Sequence, residues 1–219
     1  MKKIYAWTIA LVLLSFVMAG IFLAIAPDQI PAHYNLHGDV DRWGSKYEFT
    51  ILPVMNLLFG SIMALIARFE RKKGRDINEK VVLMMNVWVL ALFNILWAFF
   101  MWKAVDFENL GSGIGQLPIK AFLMILSATF IPLGNILPKA RRNAVLGLRT
   151  KWSMANDWCW QQSQRMGGYI MVSTGIVGVI LSALLPVEWA GCALLILIVA
   201  MIIGCCIASY RIYRKGLNQ

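Results

Sequence analysis

The sequence predicts an all-α polytopic membrane protein: one membrane domain over 1–219, six transmembrane helices, and both termini in the cytoplasm. Three observations lead there. Of 219 residues, 59% are hydrophobic and 15% charged, whereas a soluble domain carries about 45–50% and 25%; the mean hydropathy is +0.66. Six apolar segments reach the ~20 residues that a helix needs to cross a bilayer core. The basic residues, placed on that frame, gather on one side of the membrane. Disorder, collagen-like repeats and a small disulfide scaffold are excluded by the same composition.

The spans run over about 4–26, 50–67, 81–102, 117–137, 168–185 and 187–210. None has a charge in its middle; Lys120 lies one turn inside the fourth and snorkels outward. The runs are too long for strands and lack polar/apolar alternation. Lys2 and Lys3 before an apolar stretch ending Ala24-Ile25-Ala26 resemble a signal peptide. That stretch exceeds a ~7–15-residue signal core, and Pro27 would follow the cut, so the expectation is an uncleaved first span. Asn56, Asn86 and Asn94 are the polar residues deep in spans. They read as interhelical hydrogen-bonding groups or as the lining of a ligand pathway. Gly168, Gly175, Gly178 and Ser182 fall within about 80° of one another at 100° per residue, a small-residue stripe that lets another helix approach closely. Pro186 alone joins the last two spans, which predicts a tight antiparallel hairpin.

The net charge is +10, from 21 Lys+Arg and 11 Asp+Glu. With the N-terminus inside, seventeen basic residues fall on the cytoplasmic side and four (Arg42, Lys46, Lys103, Lys120) outside. Acidic residues run the other way, with four inside (Glu70, Asp76, Glu79, Asp157) and seven outside. The excess is therefore a topology signal and gives no reason to expect direct nucleic-acid binding. Three of the four cysteines, Cys192, Cys205 and Cys206, lie in the last span and Cys159 in an inner loop. They read as small apolar fillers with no disulfide partner outside.

Two polar loops carry special residues. The outer one, 27–47, holds both histidines, His33 and His37, then Asp39 and Asp41. On a helix the two histidines would share a face and, with a carboxylate, suit a divalent metal. Pro31, Asn35, Gly38 and Gly44 punctuate the stretch, however, and favour turns. The pattern His-Glu-x-x-His is absent. Three readings stand: a metal site, a compact structural loop with Tyr34 and Trp43 at the headgroup level, and a recognition surface for an external ligand. The expectation is no metal and no cofactor.

The inner loop, 138–167, concentrates six basic residues around three tryptophans. Ser153, Asn156 and Asp157 are start signals for a short helix through Trp158, Trp160 and Arg165, which would lie in the interface. An aromatic belt with positive-inside charge, an anionic-lipid patch and a surface for a soluble partner are the readings. No phosphate loop, Ser/His/Asp set or Cys/His pair occurs, and no acidic residue lies inside a span. The chain therefore offers no catalytic constellation and no proton relay.

Taken together, the loops resemble a known family. Pro31-x-His33-Tyr34-Asn35-x-x-Gly38-x-x-Asp41-x-Trp43-Gly44-Ser45-Lys46 is similar to the N-terminal region of uncharacterised function that often precedes the SdpI region. Gly134-Asn135-x-x-Pro138-Lys139, Asn143-x-x-x-Gly147-x-Arg149-Thr150-x-Trp152 and Trp160-x-x-x-Gln164-Arg165-x-x-Gly168 resemble the SdpI region itself. Where the family pattern usually has His, this chain has Gln164, so no ionisable group stands there. The resemblance implies a multi-pass protein of the bacterial plasma membrane, immersed in the lipid bilayer and not an enzyme. It would confer immunity to a secreted peptide toxin, or signal by tethering a small DNA-binding repressor. His33, Tyr34, Asn35, Gly38, Asp41, Trp43 and Lys46 would contribute to the external ligand site. Asn135, Pro138, Asn143, Gly147, Arg149, Thr150, Trp152, Trp160, Gln164 and Arg165 would form the inner partner or structural motif. A small transporter or channel using the span asparagines, and a membrane metalloenzyme using His33 and His37, are the alternatives. The topology has a direct check: alkaline phosphatase fused after Lys46 should be active, and fused after Lys215 inactive, with fluorescent-protein fusions giving the opposite pattern.

Overall fold

The computed structural model describes residues 1–35, 40–105, 116–143 and 145–216. The chain forms α1 (Lys2–Ile25), β1 (Gln29–Tyr34), β2 (Val40–Ser45), a 3-10 turn (Lys46–Thr50), α2 (Ile51–Lys72) and α3 (Asp76–Val105). Then follow α4 (Gln116–Ile136), a 3-10 turn (Leu137–Lys139), α5 (Asp157–Leu184) and α6 (Val187–Gly216). All six α-helices are long and apolar enough to cross a membrane. Two groups of three make up the bundle: α1, α2 and α3 pack on one another, as do α4, α5 and α6, and α3 packs on α4.

In hydrocarbon, apolar burial gives little net drive, so close packing and interhelical hydrogen bonds hold helices together. The first group shows both. Along α1, Thr8, Val12, Ser15, Ala19 and Phe22 are buried at alternating spacings of four and three, a narrow seam of mostly small residues. Gly60 of α2 lets Val12 and Leu90 approach, and its carbonyl accepts a bond from the Asn86 amide at 3.3 Å. Asn86 also reaches Thr8 Oγ1 at 3.5 Å, and Asn94 donates to the Leu11 carbonyl at 3.2 Å. The α2–α3 turn is a Schellman motif on Gly74, whose φ of +71° suits glycine. Gly74 N donates to the Arg71 carbonyl and Arg75 N to that of Glu70.

In the second group, α5 lies directly on α4. A methyl on Gly168 would sit 2.6 Å from the Gly134 carbonyl oxygen, and one on Gly175 2.9 Å from that of Ser127. Gly178 faces the Ser127 side chain in the same way. The glycine stripe thus serves packing. At the far end α5 stops at Leu184 and α6 begins at Val187, where the Pro186 carbonyl accepts from Trp189 and Ala190.

The largest boundary difference from the sequence reading is at the start of α5. Residues 157–167, expected as inner loop and as a separate interfacial helix, are the first ~3 turns of α5. Asn156 caps them, its side chain accepting from Cys159 N at 2.7 Å. Cys159, Trp160, Ser163, Gln164 and Gly167 form a buried face, so this segment stands against the bundle and Trp160 is not an interfacial residue. Gly168→Ala and Gly175→Ala should each destabilise the protein by about 1–3 kcal/mol through overpacking, read as a lower unfolding midpoint in detergent. Gly191→Ala, whose methyl would meet nothing within 4 Å, should not.

Candidate functional site

The stretch 29–45, expected as a run of turns, is a β-hairpin. β1 and β2 pair antiparallel, with Ile30 opposite Gly44, Pro31 opposite Trp43 and His33 opposite Arg42, and the register shifts around His33. Ile30 is wholly buried against Phe22 and Ala26 of the first helix end and Ala104 of α3, with Phe49 and Met101 beside them. That apolar plug fixes the hairpin on the bundle. Lys46 clasps its base: Nζ lies 3.0 Å from Asp28 Oδ1 and 3.4 Å from the Ala26 carbonyl, and the side chain is only 16% exposed. Ser45 and Glu48 form a capping box, and Glu48 also pairs with Arg42 at 3.1 Å.

What remains at the surface is compact and polar. His33 Nδ1 and Asp41 Oδ1 are 2.6 Å apart on exposed side chains, with Arg42 and the half-exposed Trp43 alongside. Of the expected ligand residues, His33 and Asp41 meet here, Trp43 lies half-exposed on β2 opposite Pro31, Asn35 follows β1, and Lys46 is structural. Gly38, with His37 and Asp39, lies outside the described residues, as does the side chain of Tyr34. Among the described residues no three His, Cys, Asp or Glu side chains converge.

At the opposite end, the segment from Leu137 to Asn156 is wedged between the two helix groups, and α5 holds it. Gln164 is wholly buried; its Oε1 accepts from Leu148 N at 2.8 Å and its Nε2 donates to the Leu148 carbonyl at 3.0 Å. Gly147, at φ +106°, lies against it: a methyl there would be 2.6 Å from Gln164 Oε1 and 3.0 Å from the Trp160 ring. Trp160 donates its indole N–H to the Ala140 carbonyl at 2.7 Å and packs with Val81, Met85, Ile136 and Leu137. The Asn143 side chain accepts from Val145 N and Leu146 N and donates to the Arg141 carbonyl. Leu146, so positioned, packs on both the Trp160 cluster and a cluster of Ala67, Val82 and Leu83. Ser153 bonds the Leu148 carbonyl, and Thr150 Oγ1 meets Ser209 Oγ of α6 at 2.6 Å. Pro138 packs against Gly168. Asn135, Arg149 and Arg165 are exposed; Arg165 Nε donates to Tyr169 OH at 3.3 Å.

A polar cluster that the sequence reading passed over locks this wedge to α2 and α3. Glu70, Asn78 and Glu79 are all about 99% buried. Asn78 donates to Glu70 Oε2 at 2.9 Å and accepts from the backbone N of Arg141 at 2.9 Å. Glu70 also meets Arg75 at 3.5 Å; Glu79 accepts from Tyr5 OH at 3.0 Å and pairs with Arg71 at 3.9 Å. Buried carboxylates persist only when paired and hydrogen-bonded, and these two are. Both sit in terminal turns of α2 and α3, where a lone sequence reads them as solvated.

Between α3 and α4 lies an open apolar groove of about 690 Å³, lined among others by Trp88, Ile95, Ile125, Pro132 and Asn135. Asn86 and Asn94 do not line it; their amide N–H groups bond within the first helix group, while both Oδ1 atoms are buried without a hydrogen-bond partner among the described residues. Gln164→Leu would strip partners from a buried N–H and C=O at Leu148, each worth about 1–3 kcal/mol. A loss of about 2–5 kcal/mol and faster proteolysis between 140 and 156 should follow, while Arg149→Gln should leave the unfolding midpoint unchanged.

Residues 139–209 match the SdpI/YfhL protein family, and residues 10–57 match a domain of unknown function (DUF1648). Over 209 residues, covering 95% of each chain, the protein is 23% identical to Immunity protein SdpI of Bacillus subtilis (strain 168). No solved structure matches it. The first match contains the wedge from residue 139 on and its Gln164 anchor, the second contains the hairpin, and the relative spans both. With six helices fit to cross a bilayer, this is a multi-pass protein of the bacterial plasma membrane, similar over residues 139–209 to the SdpI/YfhL protein family.

Proposed function

We propose that the protein is a non-enzymatic immunity and signalling protein. In this reading the hairpin faces the outside and meets a secreted peptide toxin, and the wedge end faces the cytoplasm and offers a docking surface to a DNA-binding repressor. The observation that carries it is the reach of α3. One uninterrupted helix of 30 residues places Met101 and Ala104 against the hairpin plug, and Asn78, Val81 and Met85 against the wedge. A ligand that shifts the hairpin has a stiff element on which to act, and coupling needs such an element with two arrangements. The relative's name, Immunity protein SdpI, supports the toxin half of the reading.

Most of the wedge motif is consumed internally: Asn143, Gly147, Thr150, Trp160 and Gln164 bond or pack within the fold. A repressor would therefore meet the exposed Arg141, Val145 and Arg149. Expression in a sensitive bacterium, challenged with a panel of secreted peptide toxins, tests the proposal. Protection by the wild type, lost with His33→Ala/Asp41→Ala or Trp43→Ala at equal membrane levels, is the expected result. Arg141→Glu/Arg149→Glu should keep protection and lose membrane recruitment of the repressor. No protection by a correctly inserted protein overturns it.

A further inference from the structure

Four side chains near the end of α6 form a continuous chain of contacts. Trp152 and Tyr210 meet edge to face with ring centroids 5.1 Å apart. Lys151 Nζ lies 5.4 Å from the Trp152 ring centroid, and Arg214 donates to Tyr210 OH at 3.3 Å. An aromatic pair is thus bracketed by two exposed cations. Among the described residues neither cation has a carboxylate within 4.0 Å. The arrangement is held in place from below: Thr150, next in the chain to Lys151, bonds Ser209, next to Tyr210, at 2.6 Å.

We propose that this cluster binds the headgroup phosphate of an anionic phospholipid. Lys151 and Arg214 keep most of their N–H donors free, and a phosphate oxygen accepts charge-assisted bonds from both residue types. Tyr210 lies one turn nearer the apolar stretch of α6 than Arg214, and the two rings give the glycerol and first methylenes an amphipathic wall at the depth where such rings favour the bilayer interface. A zwitterionic headgroup brings its own cation against two fixed ones, so the site selects net negative lipid. A soluble acidic protein would satisfy the charges but draws nothing from an aromatic pair at the end of a membrane span. This inference is independent of the toxin and repressor reading.

The test is native mass spectrometry of the detergent-solubilised protein with phosphatidylglycerol and phosphatidylcholine of matched chains. Phosphatidylglycerol should be retained in preference. A basic residue in contact with the headgroup adds about a fivefold preference for anionic lipid, so Lys151→Gln/Arg214→Gln should weaken retention by about thirtyfold. The charge-conserving pair Lys151→Arg/Arg214→Lys should bind as wild type, and Lys2→Gln/Lys3→Gln should change nothing. Equal retention of the two lipids by the wild type overturns the proposal, as does equal retention of phosphatidylglycerol by the double glutamine variant. An equal loss in the Lys2/Lys3 control overturns it too, since it would mark general charge attraction. Displacement by inorganic phosphate would assign the cluster to a soluble anion, and displacement by an acidic peptide to a protein partner; either outcome also overturns it.

Discussion

An irregular backbone packed between helices must find partners for its buried N–H and C=O groups, because no helix or ladder supplies them. The segment from Leu137 to Asn156 finds them in side chains. Gln164 takes both polar groups of Leu148, Trp160 takes the Ala140 carbonyl, Asn78 takes Arg141 N, and Asn143 and Ser153 close the turns between. A glutamine amide suits its post because donor and acceptor lie side by side on one rigid plane, matching the N–H and C=O of a single residue without any charge. Most of the motif that marks this end of the chain is explained by that single requirement.

The same requirement organises the rest. The wedge can be satisfied only where α2, α3 and α5 converge, so Glu70 and Asn78 are drawn out of solvent, and Arg75 and Tyr5 follow to pair the buried carboxylates. α3 runs from that polar knot to the apolar plug under the hairpin. Its two ends therefore sit in different media of contact, hydrogen-bonded at one and dispersive at the other. Polar bonds are directional and tolerate little displacement, whereas an apolar plug such as Ile30 slides at small cost. Movement introduced at the hairpin has its firm reference at the wedge.

Much of the fold was legible in the sequence because bilayer thickness converts directly into run length. The six spans, the Pro186 hairpin, the glycine stripe and the inward Asn86 and Asn94 all follow from spacing and composition. The inner motif residues were legible as a set but not in their roles. Arg149 and Gln164 look equally polar on paper, and only the fold separates the exposed cation from the buried amide. The hairpin was hidden by Pro31 and Gly44, which signal turns locally but sit at tolerated positions of a short two-stranded edge. Glu70 and Glu79 were hidden because a carboxylate at a helix end is ordinarily solvated, and what meets them, the loop carrying Arg141 through Asn78 at Glu70 and Tyr5 of α1 at Glu79, is remote in sequence.

The double seating of Leu146 has a consequence for how the protein is made. Its partners Ala67, Val82 and Leu83 belong to the first half of the chain and Trp160 to the second. The ribosome delivers the first three helices to the membrane well before residue 146 is synthesised. The receiving hollow is thus built first and the closing piece arrives afterwards, so the order of synthesis matches the order in which the halves can join. A circularly permuted chain that emitted α4–α6 first would expose the wedge to the membrane surface with nothing to enter.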